Sequence, residues 1–553
     1  MKKTVLIQIL ALCVATYLLG IFCVPLMDID AAQYASMSRE MLLHGNYLQL
    51  FDLGNNYLDK PPMLFWLSSL SLRLFGIHDW AYRLPSFLFA LLAIYSTYQL
   101  ALLYYKQEIA LLSAVILASC QALFLINHDV RTDTMLMGWV ACSIWQLAAF
   151  YQYNKFKNII WAGVAIAGGM MTKGPLALMI PVFAFAPQFI LQRKFNNFLR
   201  WQYIPMLLII AVLLIPMSIG LYQQYDLHPG KRVLNDTINS GLRFFYWTQS
   251  FGRITGESTV KEKTSFFFLL QNMLWSFLPW IVFLLLGFVN GVKNIIQQRF
   301  YLTDKQEAIT LAGFGVTYCA LGSSQVQLPH YIFIAFPFAA IITANYLYTL
   351  LYTKKLTLYK SPLLIAHAII FSLLWVILLL LISLPFKTIP LYVTLIAVAC
   401  FIFFLLLAFT KNLSFSKLLA LAFFTIIGIN IFLCTAFYPA LLQYQTGIIA
   451  AEYITDKKIP KEKVYVYGDV TRGGNSLYFY GDYFFKQINN WDALLTGDYM
   501  MVSKEAFDKL PKNKACSIIF TGKGVSVTKL TLTFLNPATR DSELIPFYIV
   551  LIN

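Results

Sequence analysis

Residues 4–26 of the sequence are TVLIQILALCVATYLLGIFCVPL, and MDIDAAQYA follows them at residues 27–35. The first string holds no charged residue and is longer than the roughly 20 apolar residues that a helix needs to cross a bilayer. Its apolar run is long for a secretory signal, and no small-residue cleavage site follows it. We therefore predict a retained membrane helix, with Asp28 and Asp30 at the point where the chain leaves the membrane.

The whole chain has the composition of a membrane protein. Of its 553 residues, 59% are hydrophobic and 12% are charged, whereas a soluble globular chain carries about 25% charged residues. This composition excludes a soluble enzyme, a disordered chain and a nucleic-acid-binding protein, and the net charge of +16 is explained by Lys and Arg in cytoplasmic loops. The eight cysteines show neither the CxxC nor the Cys/His spacing of a zinc site, and they indicate no disulfide framework.

Hydropathy predicts an α-helical polytopic membrane protein with about thirteen transmembrane helices. The predicted spans are 4–26, 80–105, 109–127, 134–153, 159–171, 176–191, 201–222, 266–291, 308–323, 330–352, 362–384, 391–410 and 417–438. Alternate connections hold most of the Lys and Arg, for example Lys155 and Lys354. By the positive-inside rule the N-terminus is cytoplasmic, and an odd number of spans places the chain after residue 438 in the periplasm. The predicted location is the bacterial inner (plasma) membrane.

Two domains are predicted. Residues 1–439 form the transmembrane domain, with polar outer loops at 27–79 and 223–265, and residues 440–553 form a small α/β domain on the outer face. The tail holds a predicted helix near 446–456 and short β-rich runs at 463–469, 499–503 and 516–521.

Polar residues gather at predicted outer helix ends, in the segments 28–30, 56–66, 128–134, 171–175 and 323–331. The first loop also predicts two helices lying on the membrane, one at 31–43 and one begun by Pro61 and Pro62 after Lys60. Polar groups at membrane depth are candidates for a functional site. Carboxylates that face Lys and Arg on one surface suit binding of an anionic head group and removal of a proton from an acceptor.

These segments resemble the GT-C lipid-sugar glycosyltransferases, most closely glycosyltransferase family 39 (PMT-related) and the ArnT-like aminoarabinose transferases. The resemblance is carried by DAAQYA at 30–35, YLDKPPMLFW at 57–66, RTD at 131–133, TKGP at 172–175 and QLPHY at 327–331. It implies the GT-C fold, a polyprenyl-phosphate-linked sugar donor and an inverting transfer on the outer face. The implied acceptor is lipid A or another glycolipid, and a Ser or Thr of an exported protein is the alternative.

The resemblance also implies roles for single residues. Asp30 matches the carboxylate that acts as base or orients the acceptor, and Lys60 matches a contact to the donor phosphate. Asp133 matches a second acidic position and is predicted to be catalytic together with Asp30. Lys173 matches a basic position near the site, and Tyr331 a tyrosine near the donor phosphate. Three further residues complete the predicted substrate-binding set: Arg131, Arg253 and Tyr34. Asp28 stays open as an alternative base.

The sequence departs from the family pattern where a metal would bind. Ala31 follows Asp30, where the family usually has Glu, and Asp59 precedes Lys60, where Glu is frequent. Gln249 stands where we expect His, and an amide is a poor zinc ligand. We therefore predict no cofactor and no metal ligand, with a divalent ion as the alternative.

Two further expectations concern partners and the rival class of protein. We expect a monomer in the lipid bilayer that does not bind nucleic acid. A more distant alternative is a secondary transporter, which predicts ionisable residues near the middle of helices and an internal repeat. In this sequence the carboxylates gather at predicted outer helix ends, and no internal repeat is found.

Overall fold

A computed structural model describes residues 2–233, 236–249, 252, 264–352, 357–409, 415–471, 474–511, 514–527 and 530–553. Helices dominate the chain up to its C-terminal region. The principal helices are Lys3–Cys23, Asp30–His44, Met63–Phe75, Asp79–Tyr104, Gln107–Ala118, Gln121–Ile126, Thr132–Tyr153, Phe156–Lys173, Leu176–Leu191, Tyr203–Leu221, Phe268–Ser276, Ile281–Gln297, Ile309–Gly322, Phe336–Tyr352, Thr357–Ser383, Leu391–Ala408, Phe415–Phe432 and Thr446–Asp456.

Eight helical segments within these ranges are long and apolar enough to cross a membrane, by length and composition. They are Lys3–Cys23, Asp79–Tyr104, Thr132–Tyr153, Tyr203–Asp226, Pro329–Leu351, Pro362–Ser383, Leu391–Ala408 and Ser416–Leu442. Each overlaps one predicted span, so a multi-span helical membrane protein is confirmed. The count of about thirteen stays a prediction, because the other five predicted spans coincide with helices outside this set.

Two of those five predicted spans, 109–127 and 266–291, are interrupted in the structure. Pro279 lies at the second interruption, and proline has no N–H with which to continue a helix. Beside the first interruption, the backbone N–H of Gln121 donates to the carbonyl of Leu278 at 3.0 Å. The two interruptions therefore lie against each other.

The C-terminal residues form a five-stranded mixed sheet. In sheet order its strands are Lys486–Ile488, Val464–Tyr467, Tyr499–Ser503, Ile545–Ile552 and Cys516–Gly524. The first two neighbouring pairs are parallel and the other two are antiparallel. The helix Thr446–Asp456 and three of the strands coincide with the predicted elements. The domain boundary at residue 440 and the periplasmic side of this region stay predictions.

The helix Asp30–His44 differs from the prediction of a helix lying on the membrane. It ends at Gly45, whose φ of +68° belongs to the left-handed region that favours glycine. Tyr34, Met37 and Met41 are buried, and Ser36 and neighbouring polar residues on the other face are buried as well. Because C-terminal residues cover that other face, the helix lies inside the protein.

Candidate active site

The predicted site residues stand at helix ends. Asp30 and Asp133 lie in the first turns of their helices, and Lys173 is the last residue of its helix. The helix dipole favours a carboxylate at an N-terminus and a cation at a C-terminus, so each charge suits its position. Lys60 and Tyr331 lie in the segments just before the helices Met63–Phe75 and Phe336–Tyr352.

Lys60, Asp133, Lys173 and Tyr331 line one cavity of about 160 Å³, together with Gln249. It is termed here the lysine cavity. Its remaining wall is almost entirely apolar and consists of Leu136, Pro175, Leu176, Met179, Phe183, Ala320, Leu321 and Ser324. Two ammonium groups therefore face a largely hydrocarbon wall.

Lys173 is fixed between a carboxylate and an aromatic ring. Its Nζ lies 2.5 Å from Oδ1 of Asp133 and 3.9 Å from the centre of the Tyr331 ring. The Asp133 side chain is 2% exposed, and a carboxylate buried this deeply needs an ionic partner. Within the described part of the chain its Oδ2 forms no hydrogen bond, and it lies 3.5 Å from Nε2 of His330. The arrangement holds the Lys173 ammonium at one place in the cavity.

Lys60 is held by its own neighbour in the chain. Its Nζ lies 2.7 Å from Oδ2 of Asp59, whose side chain is 40% exposed. The amide of Gln249 donates a hydrogen bond to the backbone carbonyl of Asp59, which brings the second predicted outer loop to the lysine cavity. Arg253, predicted from the same loop, lies outside the described residues.

Asp30 forms a separate group with Arg131 and Asp129, termed here the Asp30 cluster. Nη1 of Arg131 donates to the Asp30 carboxylate, and Nε of Arg131 donates to Oδ2 of Asp129 at 3.1 Å. Burial favours the neutral guanidine, but the two carboxylates outweigh it and raise the pKa of Arg131. The Asp30 side chain is 35% exposed, so its carboxylate remains accessible.

Tyr34 is close enough to Asp30 and to Asp59 for both carboxylates to act on its hydroxyl. It is buried, with its ring edge-on to Phe65 at 5.7 Å between centres. Burial and the nearby carboxylates of Asp30 and Asp59 hold the pKa of Tyr34 well above its ordinary value. Tyr34 therefore presents a neutral hydroxyl near both groups, and its contact with substrate stays a prediction.

Asp28, the alternative base, is hydrogen-bonded to the C-terminal region. Its Oδ1 accepts a hydrogen bond from the backbone N–H of Ser476 at 3.0 Å, and its Oδ2 accepts one from the Ser476 hydroxyl at 2.6 Å. Burial raises the pKa of the Asp28 carboxyl to about 6, although these bonds favour the ionised form. This arrangement favours Asp30 over Asp28 as the carboxylate that can meet an acceptor.

Three contributors to the site are missing from the sequence predictions. His330 precedes Tyr331 in the motif QLPHY, and its ring faces Asp133. Asp129 stands two residues before Arg131 in the polar segment 128–134, and it is absent from the predicted site residues. The apolar wall includes Leu176, Met179 and Phe183, whose i, i+3, i+7 spacing is the helical signal that could have found it.

Among the residues that the structure describes, no group of three or more His, Cys, Asp or Glu side chains has the arrangement of a metal site. Asp59 pairs with Lys60, and Gln249 uses its amide nitrogen toward the backbone. The metal-free site predicted from the sequence stays a prediction, and EDTA treatment tests it.

Known proteins resemble the chain in sequence and in structure. Residues 59–219 match the family described as dolichyl-phosphate-mannose-protein mannosyltransferase. The structure superposes with a TM-score of 0.75 on ArnT from Cupriavidus metallidurans bound to undecaprenyl phosphate, at 15% identity, over 99% of this chain and 98% of that one. The chain has the GT-C fold of ArnT. The predicted fold class and the predicted resemblance to the ArnT-like proteins are thereby confirmed.

The chain is also similar in sequence to arabinosyl transferases. Over 258 residues the chain is 31% identical to the undecaprenyl phosphate-alpha-4-amino-4-deoxy-L-arabinose arabinosyl transferase of Erwinia tasmaniensis, covering 46% of this chain and 44% of the relative. Over 337 residues it is 28% identical to the second such transferase of Sodalis glossinidius, covering 60% and 57%. The chain thus spans about half the length of the relatives it matches.

Proposed function

We propose that this ArnT-like chain is an integral-membrane glycosyltransferase that uses a polyprenyl-phosphate-linked sugar donor. The observation that carries the proposal is the lysine cavity, where Lys60 and Lys173 face an apolar wall. Ammonium groups bind phosphate through charge-assisted hydrogen bonds, and the apolar wall suits an isoprenoid chain. The names of the relatives, which specify an undecaprenyl phosphate sugar, support the same donor class.

In the proposed reaction, an acceptor oxygen attacks the anomeric carbon from the side opposite the phosphate. The new bond joins that carbon to the acceptor oxygen, the bond to the phosphate oxygen breaks, and the configuration inverts. The acceptor proton passes to Asp30, and the polyprenyl phosphate leaves with the bonding electrons. Lys60 and Lys173 stabilise the charge that grows on the phosphate, while Asp133 and Tyr331 hold Lys173 in place.

The proposed acceptor is a glycolipid such as lipid A on the outer face of the bacterial inner membrane. The names of the relatives specify the donor and no acceptor, whereas the family description of residues 59–219 names a protein acceptor. A membrane acceptor suits a site whose donor stays anchored by its lipid. Mass spectrometry of lipid A and of exported proteins, in cells with and without the gene, separates the two acceptors.

The proposed sidedness has the N-terminus in the cytoplasm and the site outside. A reporter enzyme fused after Tyr438 should then be active only in the periplasm, and one fused at Lys354 only in the cytoplasm. Activity of both fusions on the same side would overturn the proposed topology.

The donor proposal is tested with purified protein in nanodiscs and a radiolabelled undecaprenyl-phosphate sugar. Wild type should transfer the label, and Lys173→Ala should bind the donor more weakly. Lys194→Ala is the matched control, because Lys194 pairs with the exposed Asp304 at 2.8 Å outside the cavity. Equal donor binding by all three proteins would overturn the assignment of the lysine cavity.

A further inference from the structure

The C-terminal region is bonded directly to the segment that precedes Asp30. Ser476 donates two hydrogen bonds to the Asp28 carboxylate. The backbone N–H of Asp28 donates to Oε1 of Gln445 at 2.7 Å, and Nε2 of Gln445 donates to the carbonyl of Leu26 at 2.9 Å. Four hydrogen bonds from two C-terminal residues therefore fix the three-residue segment 26–28.

The same region holds the helix Asp30–His44 farther along its length. Ser36 donates to the carbonyl of Asn475 at 3.2 Å. Arg39 donates to the carbonyl of Tyr478 at 3.1 Å and forms an ion pair with Asp482 at 2.7 Å. Gln445 and residues 474–482 are together termed here the C-terminal clamp.

The fit at Asp28 is close. A Cβ atom added at Gly474 would lie 2.5 Å from the carboxyl carbon of Asp28, so a side chain larger than hydrogen would displace one of the two. Asp28 is half-buried, and a carboxylate that loses part of its water is stable where hydrogen bonds replace that water. Both observations indicate a specific contact with one geometry.

We propose that Asp28, Ser476 and Gln445 are positioning residues that hold Asp30 at its place beside Arg131. The proposal rests on the proposed function, in which Asp30 takes the acceptor proton. Asp30 follows Asp28 by two residues, so a shift of the clamped segment moves the start of the helix with it. Displacement of a reacting group by about 1 Å can lower a rate by about 10²-fold. The C-terminal region is thus part of the catalytic unit, although the clamp itself touches no substrate.

The test compares Ser476→Ala with wild type in nanodiscs. The variant keeps the backbone bond to Asp28 but loses the hydroxyl bond. We expect kcat for transfer to fall by about 10- to 100-fold, with KM for the donor nearly unchanged, because the lysine cavity is intact. Hydrogen–deuterium exchange should rise in the peptide that covers residues 26–44.

Ser517→Ala is the matched control, since Ser517 is an exposed serine of the C-terminal sheet that bonds to Asn553 at 3.2 Å. It should change neither measurement. Gln445→Ala is the second variant, because it removes the bonds to the backbone N–H of Asp28 and to the carbonyl of Leu26. It should reproduce the loss of kcat if Ser476→Ala fails to fold.

Faster exchange together with lower kcat supports the proposal. An unchanged kcat in both variants overturns it, whether or not exchange rises. An equal rise in KM also overturns it, because the clamp would then act on donor binding. If wild type itself transfers no sugar, the proposed function fails first, and the exchange data separately show whether the clamp holds the helix.

Discussion

The lysine cavity and the Asp30 cluster lie near each other but balance charge differently. The cavity sets the ammonium group of Lys60 beside Asp59 and that of Lys173 beside Asp133. The cluster sets a single guanidinium between two carboxylates, Asp30 and Asp129. A partly exposed carboxylate suits a general base, whereas lysine cations beside an apolar wall suit the binding of a lipid phosphate.

The two lysines also differ from each other. Lys60, whose side chain is 12% exposed, pairs with Asp59, whose side chain is 40% exposed. Lys173 pairs with Asp133, which is 2% exposed. In the proposed reaction the Asp59 carboxylate can therefore turn toward solvent when Lys60 contacts the donor phosphate, whereas the buried Asp133 carboxylate keeps Lys173 fixed.

The strongest expected effect is that of Asp30→Asn, which breaks the cluster and leaves the cavity intact. An amide cannot take a proton at neutral pH, and general-base catalysis contributes about 10²–10⁴-fold. We expect kcat to fall by that factor. Steady-state assays with saturating donor measure it, and full activity would move the base to Asp28 or Asp133.

Lys60→Ala should break the cavity and leave the cluster intact. A hydrogen bond to a charged group is worth about 1.5–3 kcal/mol, so KM for the donor should rise by roughly 10- to 150-fold. Donor titrations measure this effect, with Lys194→Ala as the control. A fall in kcat without a change in KM would contradict the assignment of Lys60.

The buried ion pair of Lys173 with Asp133 predicts that substitutions of these two residues have non-additive effects on the stability of the fold. Lys173→Met leaves Asp133 buried without its partner, which typically costs about 3–5 kcal/mol. Adding Asp133→Leu removes the orphaned charge, so the double variant should unfold at a higher temperature than Lys173→Met. Thermal unfolding in detergent compares them, and a double variant less stable than the single one would argue against a tightly coupled pair.

EDTA treatment tests whether the Lys and Arg cations of the site suffice without a metal ion. Activity in nanodiscs should survive thorough EDTA treatment with less than about a twofold loss, a small change beside the 10²-fold effects expected of site residues. Loss of turnover that added metal restores would show that a metal site involves Asp59 or residues outside the described ranges.

The smallest expected effect is the pH dependence of the stability that Asp28 contributes to the fold. Its pKa is raised from 3.8 to about 6 in the folded protein, so the folded state binds the proton more tightly than the unfolded state. Stability from this group is present below pH 3.8 and is lost as the pH rises through about 6. The unfolding temperature of wild type relative to Asp28→Asn should therefore be higher at pH 5 than at pH 7, and an unchanged difference would contradict the raised pKa.

The parts of the fold and site that the sequence predicts are those that depend on local signals. Apolar runs mark the eight candidate spans, and the motifs mark Asp30, Lys60 and Asp133 because each stands at a helix end. The strand Ile545–Ile552 is missed, because its apolar run IPFYIVLI has no period that separates a buried strand from a helix.

Contacts between distant parts of the chain are not predicted. His330 meets Asp133, which lies in another helix, only once the bundle is packed. Ser476 meets Asp28 across 448 residues, and no local pattern marks that pair. The same packing explains why the helix Asp30–His44 is buried, although its composition predicted a helix lying on the membrane.

The most direct test of a site divided into a donor cavity and a base is to measure donor binding and transfer on the same Asp30→Asn sample. Equilibrium binding of the labelled donor and a single-turnover assay in nanodiscs supply the two values. The account predicts donor binding within about threefold of wild type, a difference below 1 kcal/mol, and almost no transfer. Loss of donor binding, or transfer at the wild-type rate, would contradict the division between the lysine cavity and the Asp30 cluster.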